Sequence, residues 1–167
     1  MSKFFVFGWR LVLSVAIFLI AGCAINTPAS TSFHSRESHW QGRLTLKVES
    51  EPVQAFSADF DLQGDAQVGS LSFFTPLGNT AAQLDWNAHG ARLQTSGEPQ
   101  QFESIDALTR HTTGTVLPVA SLFDWLKGLN ATAPGWQVDL RDLANGRLSA
   151  RRLAPEIPAE LKIILDH

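Results

Sequence analysis

Polar and apolar residues alternate strictly along the chain from Trp40 to Val48. The residues on one face are Trp40, Gly42, Leu44, Leu46 and Val48, and those on the other are Gln41, Arg43, Thr45 and Lys47. A period of two predicts a strand with one buried face. The same period returns at residues 56–62, 71–73, 82–86 and 91–95, with Gly and Asn between the segments. We therefore predict five strands in an antiparallel meander.

Two later segments change to the period of a helix. The first has Ser104 as a candidate N-cap and Gly114 just beyond its end. The second has Pro118 in its first turn and Gly128 as its C-cap. Its apolar stripe consists of Val119, Leu122, Phe123 and Leu126, with Trp125 at the border.

The alternation then resumes at residues 136–140, 148–150 and 161–165. Asn145 and Gly146 lie between two of these runs and predict a hairpin turn. Five strands, two helices and three further strands, without the β-α-β order of parallel sheets, predict a mostly β fold. We expect an antiparallel curved sheet that forms a half-open barrel with the helices inside.

The N-terminal residues 1–22 have the pattern of an export signal. Lys3 and Arg10 are their only charges, and an apolar run at residues 11–20 leads through small residues to Cys23, the one cysteine of the chain. This ending resembles the lipobox of bacterial lipoproteins, with Ile20 as its large aliphatic residue, and predicts cleavage before Cys23 and lipidation of its thiol. The alternative is a free thiol beside a short membrane anchor, although an exported protein with one unpaired cysteine invites oxidation.

The residues after the cysteine predict where the protein resides. Ala24 stands where an aspartate would retain a lipoprotein in the inner membrane under enteric-type sorting rules, so it indicates the outer membrane. Residues 23–39 are polar and rich in Ser, Thr, Asn and Pro, which predicts a flexible tether. Residues 40–167 then form one domain.

The predicted mature chain is acidic. Without its signal it carries 11 Lys and Arg against 16 Asp and Glu, a net charge of −5 that argues against nucleic acid as a partner.

Catalytic chemistry is nearly absent from the sequence pattern. The five histidines are scattered without the spacing of a metal site, and no nucleophile elbow or nucleotide-binding glycine loop occurs. Asp59 and Asp61 share one strand face, which suits a solvated surface better than an acid/base pair. We likewise interpret Arg151 and Arg152 as surface charges. The sequence predicts no enzyme, no metal and no cofactor.

Aromatic residues are numerous and of two kinds, 11 Phe and 5 Trp with no Tyr. A well-filled core explains most of them, whereas a curved sheet that its helices cannot close would leave an apolar cavity for hydrocarbon. Composition alone does not separate these interpretations.

The Thr75-Pro76-Leu77-Gly78 segment suits a type I turn with Leu77 at its apex. That leucine either folds back as a cap on the core, the simpler expectation from the residues alone, or projects into a bilayer.

Several of these features recur together in one known family. They are the lipobox Ile20 to Cys23, Gly42 and Arg43 in Trp-Gln-Gly-Arg-Leu, the Phe56 to Phe60 strand, the Thr-Pro-Leu-Gly loop, and Pro118, Leu122, Trp125, Gly128 and Leu129 at the family's spacing. In this order they resemble the LolB family of outer-membrane lipoprotein receptors, and the resemblance spans nearly the whole mature domain.

The resemblance implies a receptor that inserts lipoproteins into the outer membrane without covalent chemistry. Its cavity would take the acyl chains of lipoprotein cargo from the periplasmic carrier LolA, and the loop of Pro76, Leu77 and Gly78 would enter the membrane lipid. We expect a monomer whose cavity wall consists of inward-facing strand and helix residues. These are Leu44, Leu46, Phe56, Phe60, Leu71, Phe73, Leu84, Trp86, Leu122, Trp125 and Leu126. Two alternatives stay open: a structural envelope lipoprotein that docks a protein partner, and a carrier of a different lipid.

Overall fold

The structure, a computed structural model, describes residues 38–153 and 157–166. The predicted signal peptide at residues 1–22, the lipid-bearing Cys23, Ala24 and nearly all of the predicted tether lie outside the described residues. They stay predictions. The first strand begins at Ser38, two residues before the start of the predicted alternation.

The described residues form nine strands and two α-helices. In chain order these are β1 (Ser38–Val48), β2 (Gln54–Gly64), β3 (Gly69–Phe74), β4 (Thr80–Asn87), β5 (Gly90–Gln94), β6 (Gln100–Phe102), α1 (Ile105–Thr113), α2 (Val119–Leu126), β7 (Trp136–Asp139), β8 (Arg147–Arg152) and β9 (Ala159–Leu165). The strands make one sheet in the order β6-β5-β4-β3-β2-β1-β9-β8-β7. Every neighbouring pair is antiparallel, as predicted.

Strand β1 shows why the sheet has one apolar face. Leu44, Leu46 and Val48 are buried on the inner face of β1, whereas Arg43 on the outer face pairs with Asp59 of β2 at 2.8 Å. The inner faces of the strands and both helices contribute to one hydrophobic core. The sheet therefore curls around the helices, and the predicted half-open barrel is confirmed.

Helix α1 has the ends that the sequence predicts. The Ser104 hydroxyl accepts a hydrogen bond from the Ala107 backbone N–H at 3.1 Å, and Gly114 ends the helix in the left-handed region at φ 72°. Helix α2 differs slightly, because Pro118 occupies the N-cap position and lies just outside the first turn. Gly128, with φ of 81°, follows the last helical turn.

Two details of the sheet depart from the predicted pattern. Strand β6 has only three residues, of which two are polar, and the alternation of polar and apolar residues did not predict it. The hairpin predicted at Asn145 and Gly146 does join β7 to β8, but its connection is residues 140–146 and contains a 3₁₀ turn at Leu143–Asn145. Gly146 closes that turn at φ 74°, so the segment is a longer loop than a two-residue turn.

Aromatic side chains fix α2 on the concave face. The ring centre of Phe123 lies 5.7 Å from that of Trp40 on β1 and 6.1 Å from that of Trp86 on β4. Trp125 is completely buried, and its indole N–H donates to the Ala131 carbonyl oxygen at 2.8 Å. These contacts seat α2 across the middle of the sheet.

Gly69 makes room for the indole of Trp86. The two residues are cross-strand partners, and a Cβ at position 69 would lie 2.3 Å from the Trp86 ring and 2.7 Å from the Gln63 carbonyl oxygen. The Trp86 N–H donates to the Asp65 carbonyl oxygen at 3.0 Å, which holds the ring in place. Neither the backbone nor this ring can easily move away.

We predict that Gly69→Ala lowers the free energy of unfolding by about 1–3 kcal/mol, because the added methyl group overpacks this contact. Urea denaturation of the purified protein measures the change. Gly97→Ala is the control, since the nearest atom to a Cβ there is 4.0 Å away. Equal stability of the two variants would contradict the close packing of Trp86 on Gly69.

Candidate functional site

An apolar cavity of about 330 Å³ lies between the concave face of the sheet and the two helices. Ligand cavities in proteins span roughly 300–1,000 Å³, so this one has room for a small apolar group or a hydrocarbon chain. None of the side chains that line it carries a charge. Such a wall favours hydrocarbon over polar ligands.

Eight of the eleven predicted wall residues border this cavity. They are Leu44, Leu46, Phe56, Leu71, Phe73, Leu84, Trp86 and Leu122. The other three, Phe60, Trp125 and Leu126, are buried in the packed core and do not line it. The indole of Trp125 bonds instead to the Ala131 carbonyl oxygen in the segment after α2. A side chain that faces the inside of the sheet therefore does not necessarily line the cavity.

The prediction also missed part of the wall. The strands add Val48, Leu62, Leu93 and Leu161, and the helical side adds Ile105, Thr109, Thr112, Thr113, Leu117 and Val119. The strand residues share the faces already identified by alternation, so that signal was present. The threonines were passed over because they are polar, although their spacing of three and four places them on one helical face.

The three threonines of α1 are compatible with an apolar cavity. The Thr109, Thr112 and Thr113 hydroxyls donate to backbone carbonyl oxygens within the helix at 3.2, 3.0 and 2.8 Å. A buried hydroxyl without such a bond would be costly in an apolar site. This helix face therefore leaves no unsatisfied donor toward the cavity.

One end of the sheet, which we name the open end, carries the connections at residues 49–53, 75–79 and 95–99. Cavity-lining residues at this end, such as Gln54, Phe56 and Thr95, are exposed to solvent. Toward the opposite end, Leu62 and Trp86 are buried. The mouth of the cavity therefore lies at the open end.

The turn at residues 75–78 also lies at the open end. The Thr75 carbonyl oxygen accepts from the Gly78 N–H at 2.8 Å, and the Thr75 N–H donates to the Asn79 carbonyl oxygen at 2.8 Å. With Gly78 at φ 81°, this is the three-residue hairpin in which a left-handed glycine follows a type I turn. Leu77 at the apex is 88% exposed. The core-cap interpretation of Leu77 is wrong.

Arg152 contradicts its interpretation as a surface charge. It is only 4% exposed, and its guanidinium carbon lies 5.6 Å from the ring centre of Trp136. Its side chain donates to the Ile157 carbonyl oxygen at 2.9 Å and to the Thr115 hydroxyl. Because Thr115 lies between the two helices, Arg152 ties the helical wall of the cavity to strand β8. Arg151 is exposed, as expected, and pairs with Glu160.

Asp59 and Asp61 on the outer face of the sheet have the electrostatics of surface carboxylates. A hydrogen bond from the Arg43 guanidinium lowers the pKa of the Asp59 carboxyl. Partial burial opposes the ionisation of Asp61, yet hydrogen bonds from Gln41 and two other side chains outweigh it and lower the pKa of that carboxyl as well. Both carboxylates are thus held ionised, as the predicted solvated face requires.

Residues 38–153 and 157–166 contain neither a cluster of metal ligands nor a helix that could span a membrane. Within these ranges, no three His, Cys, Asp or Glu side chains lie close enough together to hold a metal ion. Neither described helix has the length and apolar character needed to cross a membrane.

The chain is similar to a family of known bacterial lipoproteins. A family model described as outer membrane lipoprotein LolB matches residues 38–154. Proteins named outer-membrane lipoprotein LolB are 32% identical over 125 residues in Ralstonia nicotianae and 32% over 143 in Chromobacterium violaceum. A third, from Bordetella petrii, is 29% identical over 113 residues.

These alignments cover 70%, 83% and 66% of this chain, respectively. They cover 60%, 75% and 57% of the three relatives. The chain thus spans less than two thirds of the length of the Ralstonia and Bordetella relatives.

We predict that Ala82→Phe weakens the binding of an environment-sensitive apolar dye about tenfold, or about 1.4 kcal/mol, because the phenyl ring fills part of the cavity. Fluorescence titration of the purified protein measures the dissociation constant. Ala81→Phe is the matched control, since Ala81 is exposed on the same strand and does not line the cavity. Equally weakened binding in both variants would show that the dye does not occupy this cavity.

Proposed function

The chain belongs to the LolB family of outer-membrane lipoproteins, and on that premise we propose that it receives acylated lipoproteins in its cavity and releases them into the outer membrane. The donor is the periplasmic carrier LolA. The observation that carries this proposal is the uncharged cavity of about 330 Å³, whose mouth lies at the same end of the sheet as the exposed Leu77.

The energetics of hydrocarbon transfer suit such a cavity. A chain of ~15 carbons at about 0.8 kcal/mol per methylene gains on the order of 10 kcal/mol in any dry apolar environment. Spontaneous transfer therefore requires that the free energy of the acyl chain differ only modestly between the carrier, the receptor and the bilayer. A cavity that is open at one end removes less of the acyl chain from water than a bilayer does. Transfer of the chain from the cavity to the bilayer therefore lowers the free energy. No bond is broken, and neither a cofactor nor an enzymatic step is needed.

The cavity volume limits how cargo can be held. At about 330 Å³ it lies near the lower end of the range for ligand cavities. Cargo with several acyl chains therefore requires movement of the helices away from the sheet, or chains that protrude at the mouth. Arg152 and Thr115 lie where such a movement would separate the helical connection from β8.

The protein acts as a monomer held on the periplasmic face of the outer membrane by lipid on Cys23. Several acyl chains on one residue make anchoring nearly irreversible. Residues 23–37 then give the domain a tether over which it meets carrier and membrane. The polar outer face of the sheet gives no support to a structural role in which that face docks a protein partner.

We predict that the mature protein begins at Cys23 and carries acyl chains there. Intact-mass measurement of the protein from a bacterial membrane fraction identifies both features. Cys23→Ser should abolish the acylation and, with it, partitioning into a detergent phase. A mature chain that begins at Met1 with a free thiol would instead favour the short membrane anchor.

The decisive experiment is transfer of a radiolabelled lipoprotein from LolA to the purified protein, followed by delivery to liposomes. Acceptance and delivery would support the receptor. Failure to accept the lipoprotein, together with a different lipid that copurifies in the cavity, would favour the carrier of another lipid.

In the same assay we predict that Leu77→Glu accepts cargo normally but delivers it roughly tenfold more slowly. Burial of one leucine is worth about 1.5–3 kcal/mol, and a carboxylate at the turn resists insertion. Leu77→Ile keeps the apolar side chain and should deliver at the wild-type rate. Unchanged delivery by the glutamate variant would remove Leu77 from the mechanism.

A further inference from the structure

A second apolar turn lies beside Leu77 at the open end. Val53, in the connection between β1 and β2, is 60% exposed, and Phe56 at the start of β2 is 45% exposed. Strands β2 and β3 are neighbours in the sheet, so the β1–β2 and β3–β4 hairpins project side by side. A single exposed apolar side chain is common on protein surfaces, whereas several at one end of a sheet indicate a contact site.

The two hairpins are joined by aromatic contact at the mouth. The ring of Phe56 meets that of Phe73 on β3 edge to face, with ring centres 5.0 Å apart and planes at 84°. Both rings line the cavity. The β1–β2 hairpin therefore carries one apolar residue in the cavity wall, Phe56, and a second, Val53, in its exposed turn.

We propose that the β1–β2 hairpin is a second membrane contact, in which Val53 enters the phospholipid bilayer beside Leu77 and Phe56 meets the lipid at the mouth. This proposal rests on the proposed function. With two adjacent tips in the lipid, the open end faces the bilayer in a defined orientation. An acyl chain that leaves the cavity then passes into lipid without crossing water.

The shape of this surface favours a bilayer over a folded partner protein. Val53 and Leu77 stand on two separate, neighbouring turns at the open end, and each is a single exposed side chain. A specific protein interface buries roughly 800 Å² per partner and requires matching shape, whereas fluid lipid conforms to separate tips.

The charges of the hairpin define which lipid it meets. Glu49 and Glu51 are exposed beside Val53, and Lys47 pairs with Glu49 at 3.4 Å. A hairpin with these carboxylates gains no attraction from anionic headgroups, which recruit basic segments. The contact is therefore with the hydrocarbon and neutral headgroups of the bilayer.

The chain contains a matched control at the opposite end of the sheet. Val68, in the turn between β2 and β3, is 59% exposed, nearly the same fraction as Val53. The two valines differ chiefly in the end of the sheet at which they lie.

The test uses the full lipidated protein, reconstituted in phosphatidylcholine vesicles that contain doxyl-labelled phosphatidylcholine as a quencher. Val53→Cys, Leu77→Cys and Val68→Cys are each labelled with an environment-sensitive fluorophore, and the parent protein serves as the blank for labelling at Cys23. We expect quenching at positions 53 and 77 to exceed that at 68 by roughly threefold or more, because only the open end reaches the acyl region.

The outcomes separate this inference from the proposed function. Quenching at 77 without quenching at 53 above the level at 68 would overturn the second contact and leave the Leu77 loop in place. Absence of quenching at both 53 and 77 would overturn the membrane role of the whole open end.

Delivery assays provide an independent readout. Val53→Glu should slow release of lipoprotein to phosphatidylcholine liposomes roughly fivefold, while Val68→Glu leaves it unchanged. A thermal melt of both variants establishes that they fold. Equal delivery by folded Val53→Glu and Val68→Glu would reject the proposal.

Discussion

The mismatch in length between the strands and the helices they enclose is the constraint on which the rest of this structure depends. Strands β1 and β2 have 11 residues each, and at about 3.3 Å per residue they extend roughly 36 Å. Helices α1 and α2 have nine and eight residues, so at about 1.5 Å per residue they extend only 12 to 14 Å. Two such helices cannot cover the concave face, and the uncovered apolar surface becomes the cavity.

A cavity of this kind also requires that its helical wall be fixed without leaving polar groups unsatisfied. The buried polar side chains of the described residues are Thr109, Thr115 and Arg152, and all three lie where the helical connection meets the sheet. Thr109 accepts from the Leu117 N–H, and Arg152 reaches Thr115 from β8. The wall is thus held by hydrogen bonds at one place and by aromatic packing of Phe123 at another. Two separate attachments of this sort are compatible with a wall that opens when cargo enters.

The two ends of the sheet differ in how far the cavity-lining residues are exposed to solvent. At the open end, Val53, Phe56 and Leu77 are exposed around the mouth. Toward the other end, Trp86 is buried and bonded to the Asp65 carbonyl oxygen. The exposed lining residues therefore lie at the end that carries the apolar turns. In the proposed receptor, the cavity and the membrane contacts work together because the antiparallel topology places them side by side.

The sequence by itself determined what depends on local period and on single turn residues. Alternation identified eight of the nine strands and their buried faces, and Ser104 and Gly114 fixed the ends of α1. Only the tertiary structure decided which inward side chains line the cavity. It placed Phe60 and Trp125 in the core, and it buried Arg152. The physical reason is that a two-residue period specifies which face of the sheet a side chain occupies. Whether that side chain is covered depends on where two short helices pack, and contacts between residues far apart in the chain set that position.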